Sequence, residues 1–102
     1  MAAVYVAEFV SIAGTGNFAI AAAQVAPVNE QTIAIGGSSA TIATAFNPKS
    51  RFIRVHTDAI CSIAFGTAPV ATITNMRMSA NQTEYFGLPP TANFKMAVIS
   101  NT

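Results

Sequence analysis

The chain is divided into short runs in which apolar and polar residues alternate, broken roughly every 8–12 residues by glycine, proline, asparagine or serine. Successive side chains of a strand point to opposite faces, so this pattern predicts strands. Arg51 to Thr57 places Ile53 and Val55 on one face and Phe52, Arg54 and His56 on the other. Cys61, Ile63 and Phe65 share a face of the run from Ile60, and Val4, Val6 and Glu8 oppose Tyr5, Ala7 and Phe9 in the first run. Gln31–Ile35 and Ala40–Phe46 flank Gly36-Gly37-Ser38-Ser39 as the arms of a hairpin, with Ile33, Ile35, Ile42 and Phe46 facing the core. Asn47-Pro48-Lys49-Ser50 and Thr57-Asp58-Ala59 read as turns. Val70–Thr74, Met76–Met78, Thr83–Gly87 and Phe94–Ile99 supply the remaining strands.

One segment is ambiguous. The alanines of Phe18–Ala26 favour a helix, which Asn17 would cap and Pro27 would stop, whereas its neighbours argue for a strand. The whole pattern predicts an all-β chain of about eight short antiparallel strands, a jelly-roll-like β-sandwich. Residues 1–102 form one domain, with 1–13 as an N-terminal arm because both faces of that arm are largely apolar.

Charge narrows the function. Five basic and four acidic residues stand among 102, against an apolar half, where an ordinary soluble domain is about a quarter charged. A surface so poor in ionic groups is expected to be covered by other protein. Lys49, Arg51 and Arg54 are the only close basic group, which is too little for a nucleic-acid track. No run reaches the ~20 apolar residues of a membrane-spanning helix, and Met1–Ile12 lacks a basic leader region and is interrupted by Glu8. Neither nucleic acid nor membrane is expected as a partner, and synthesis in the cytoplasm is expected.

Reactive groups are few. His56, Asp58 and Cys61 have the composition of a base, an orienting acid and a nucleophile, but their places in a strand, a turn and a core face argue for structural roles. Cys61 among Ile60, Ile63 and Phe65 reads as a buried thiol in a reducing compartment. One His and one Cys fall short of a zinc ligand set. Gly14-Thr15-Gly16 lacks the third glycine and distant acid of a dinucleotide site, and Asn81-Gln82-Thr83 reads as a loop. No catalytic residue, cofactor or metal is assigned.

The run Arg51-Phe52-Ile53-Arg54-Val55-His56-Thr57-Asp58-Ala59-Ile60-Cys61-Ser62-Ile63-Ala64-Phe65-Gly66, with Ala68-Pro69-Val70-Ala71-Thr72, resembles small virion proteins of tailed bacteriophages. Ser79-Ala80-Asn81-Gln82-Thr83-Glu84-Tyr85-Phe86-Gly87 and Lys95-Met96-Ala97-Val98-Ile99 extend the similarity, which covers about residues 28–99. The resemblance implies a capsid cement or decoration protein on the outer surface of the virion head. Such a protein would form a homotrimer, or a dimer, and clamp neighbouring major capsid protein subunits. It implies no functional residues.

The residues themselves suggest contacts through Val4, Tyr5, Val6 and Phe9 and through the Phe52, Arg54 and His56 face. The rival reading is a tail or head-fibre module that binds a host glycan through Tyr85, Phe86 and Asn81.

Overall fold

A computed structural model describes residues 2–15, 18–89 and 93–102, with 14, 15 and 18–21 described by their backbone alone. Among the described residues the fold is all-β, with ten strands and no helix. They are β1 (Ala3–Phe9), β2 (Ile12–Thr15), β3 (Phe18–Ala23), β4 (Asn29–Ala34), β5 (Ala40–Thr41), β6 (Phe52–Thr57), β7 (Cys61–Gly66), β8 (Met76–Met78), β9 (Thr83–Gly87) and β10 (Lys95–Ser100).

Three sheets result, ordered β4-β1-β6-β9, β5-β10-β7-β8 and β2-β3. Every pairing is antiparallel. The first sheet gives Val4, Val6, Ile53 and Val55 to the core; the second gives Cys61, Ile63, Met78, Met96 and Val98. Ile42 and Phe46 complete the cluster from the segment between β5 and β6. Burying a side chain of this kind is worth roughly 1.5–3 kcal/mol, so this cluster is the main source of stability.

Several segments differ from the sequence reading. Residues 3–9 form no projecting arm: β1 is an interior strand, paired with β4 on one side and β6 on the other. Its second apolar face is explained within the chain, because Phe9 stacks on Phe52 with ring centroids 5.3 Å apart. The segment that stands apart is the hairpin β2–β3, whose strands, among the described residues, pair only with each other. Phe18–Ala23 is therefore strand, not helix, and its connecting residues 16 and 17 lie outside the described residues.

Gly36–Ser39 is not a hairpin turn either. It carries the chain from β4 in one sheet to β5 in the other, and the two segments meet instead through Gln31, whose amide bonds the backbone of Thr44 in both directions. Val70–Thr74 is not a strand, since Thr72 and Asn75 close a local turn through Asn75 N–H to Thr72 O (3.0 Å) and Thr72 N–H to Asn75 Oδ1 (2.7 Å).

Candidate functional site

Strand register arranges the outer face of the first sheet into three rows. Tyr5 lies opposite Thr32 and His56, and His56 opposite Thr83. Ala7 lies opposite Glu30 and Arg54, and Arg54 opposite Tyr85. Phe9 lies opposite Phe52, and Phe52 opposite Gly87. Because Val4, Val6, Ile53 and Val55 fill the core from the alternate positions, these rows point away from it.

The face is aromatic and interrupted by charge. Phe9 and Phe52 stack, Phe52 lies 6.2 Å from Tyr85, and Tyr5 lies 6.4 Å from His56 between ring centroids. Tyr5 and Tyr85 remain exposed. Two grooves score this surface. One, of about 400 Å³, lies between Ile12, Ala22 and Ala23 of the hairpin and Phe52, Tyr85 and Phe86 of the sheet. The other, of about 310 Å³, passes over Ala7 between Tyr5, Glu30, Thr32 and Arg54.

Tyr5, Phe52, Arg54 and His56, expected as contact residues, thus share this one face. Val4 and Val6 do not; both are buried in the core, on the inward side of β1. Phe9 points outward but is 6 % exposed beneath Phe52. Glu30 and Thr32 also belong to the face and were missed, although the alternation that turns Gln31 and Ile33 inward turns them outward.

The reactive trio is not assembled. His56 Nδ1 sits 2.8 Å from Thr83 Oγ1 and its Nε2 sits 3.9 Å from Asp58 Oδ1, both near the surface. Cys61 is on the second sheet and fully buried, and burial pushes its thiol pKa up, away from the reactive thiolate. Among the described residues no three His, Cys, Asp or Glu side chains converge on a position that would hold a metal ion. No described helix is long and apolar enough to cross a membrane.

For a sugar platform, Tyr85 and Phe86 would have to present their rings together. They are successive residues of β9 and face opposite ways: Tyr85 is outward, while Phe86 packs 5.3 Å from Phe65 against the core.

Comparison with protein families, curated proteins and solved structures found no match. The reading of the site therefore rests on its own chemistry: a partly exposed aromatic face crossed by Glu30 and Arg54 beside an uncharged hairpin, which is suited to binding protein.

Proposed function

We propose that this chain is a structural assembly subunit, a capsid cement or decoration protein that self-associates and clamps neighbouring major capsid subunits on the outside of a phage head. The observation that carries the reading is the hairpin β2–β3. Among the described residues it pairs with neither larger sheet, and no charged residue lies between Glu8 and Glu30. A two-stranded hairpin alone is marginal in water, so an uncharged one gains most by being covered by other protein.

The jelly-roll reading is supported by strand order. With the count started at β4 and β1 placed after β10, the strands run between the two four-stranded sheets as in the eight-stranded, two-Greek-key jelly roll. β1 then occupies the slot of that fold's last strand. Ile35 N–H donates to Ala2 O at 3.0 Å and Ser100 N–H to Gly36 O at 2.8 Å, so β1 starts beside the end of β10, as this order requires.

A clamp works by burial rather than by reaction. Apolar area removed from water contributes about 25 cal/mol per Å², less the cost of association, and many copies on one shell multiply the effect. The groove between the hairpin and the Phe52–Tyr85 surface is the contact expected to face the shell.

The test is co-sedimentation of the purified chain with phage heads stripped of it, followed by heating. Binding at saturating stoichiometry with delayed genome release supports the reading. Heads that neither bind the chain nor gain stability overturn it.

A further inference from the structure

We infer that the outer face over β1 is where two copies of this chain pair, about a two-fold axis that runs parallel to β1 and passes above Ala7, between the copies. This deepens the assembly reading and rests on it only in taking the chain to self-associate.

Glu30 on β4 and Arg54 on β6 are both opposite Ala7 on β1. They therefore flank Ala7 in one row, one strand to either side, and lie about 9.5 Å apart across two strand spacings. The two side chains do not meet, and neither forms an ion pair among the described residues. In a chain with five basic and four acidic residues, two unpaired opposite charges placed symmetrically about a small residue form a self-complementary pattern.

Rotation by half a turn about an axis along β1 exchanges the β4 and β6 sides of a second copy laid face to face on the first. Each Glu30 then meets the other copy's Arg54, and the pairing occurs twice, as an isologous interface requires. Any arrangement that stacks β4 on β4 sets Glu30 against Glu30 and is rejected by repulsion. A three-fold ring joins two different surfaces and leaves the symmetry about Ala7 unused.

Steric and apolar features agree. Ala7 leaves the groove of about 310 Å³ between Glu30 and Arg54, so the centre of the contact has room for close approach. Tyr5, one position along the same face, is 44 % exposed and supplies the aromatic contact that such interfaces favour. The hairpin groove is lined by other residues, Phe52, Tyr85 and Phe86 among them, and includes none of Tyr5, Ala7, Glu30 and Arg54.

The experiment is charge reversal read by sedimentation equilibrium at low salt. The unaltered chain is expected to be a dimer that weakens as salt is added. Glu30→Arg alone, or Arg54→Glu alone, replaces two attractions with two repulsions and is expected to lower self-affinity at least tenfold. Mixing the two single variants rebuilds both attractive pairs and is expected to give a one-to-one heterodimer of near-original affinity, which also shows that both variants are folded. A monomeric unaltered chain, single variants that dimerise undiminished, or a mixture that does not pair overturns the inference. Head binding is scored separately: a charge-dependent dimer that ignores heads sinks only the cement reading, and a monomer that binds heads sinks the two-fold pair and self-association but leaves the clamp.

Discussion

Glu8 and Ser50 meet inside the protein, where Glu8 Oε1 accepts the Ser50 hydroxyl hydrogen at 2.9 Å and each residue is 1 % exposed. The same oxygen accepts the Asn47 backbone N–H at 2.7 Å, and Oε2 accepts from Asn29 Nδ2 at 3.2 Å. One carboxylate thus ties β1 to the turn that precedes β6 and to the first residue of β4. Burying a charge is costly unless hydrogen bonds replace its water, and here three donors do so.

Glu8→Ala leaves those donors without a partner and is expected to cost about 3 kcal/mol. Glu8→Gln is expected to cost about 1 kcal/mol, because its amide oxygen still accepts from Asn47 and Ser50 while the Asn29 amide can turn its oxygen toward the new NH₂. Urea midpoints of the three proteins check this, and equal midpoints would contradict it.

The alternation of Phe52–Thr57 was legible because strand period is a local property, and Ile53 and Val55 point inward as their sequence predicts. It also put Glu8 on the face of Val4 and Val6, the one signal that this acid is buried. Which strands pair was not legible. Gly36-Gly37 between two β-like runs suits a hairpin and an inter-sheet crossing equally, and only the distant partners β1 and β10 decide. The outer face was half legible: alternation put Phe52, Arg54 and His56 together on it, but the apolar faces of β1 fitted packing between subunits or between sheets equally, because its interior position depends on strands far along the chain.

Val70–Thr74 is rich in β-branched residues, yet Ile73 is 63 % exposed while Ile53 is fully buried. Ile53→Ala is expected to destabilise by about 2–5 kcal/mol, as a cavity in a packed core does. Ile73→Ala is expected to stay within about 0.5 kcal/mol. A loss at Ile73 comparable to that at Ile53 would restore a core strand there.

Cys61 is held neutral by burial. Thiol reagents are expected to leave it unmodified in the native protein and to label it fully in denaturant. The sign of its pH effect follows from the raised pKa: the neutral thiol's contribution is complete below the unfolded thiol's value of about 8.5 and is lost as pH climbs toward the folded value. Stability is therefore expected to fall on the alkaline side, less so for Cys61→Ala. Rapid native labelling at neutral pH would place the thiol at the surface.

If β1 fills the place of a jelly roll's last strand, joining Thr102 to Ala2 through a short linker and opening the chain between Thr67 and Ala68, both exposed, should leave the fold intact. Cooperative unfolding and an unchanged circular dichroism spectrum are expected. An unfolded permutant would contradict the adjacency of β1 and β10.

The central claim is that this charge-poor β domain strengthens a shell by covering itself against it, and electron microscopy of the native particle tests that most directly. The account predicts density for the chain on the outer head surface, bridging adjacent shell subunits, with the β2–β3 hairpin against the shell. Particles that lack the chain, or that carry it away from every junction between shell subunits, would contradict it.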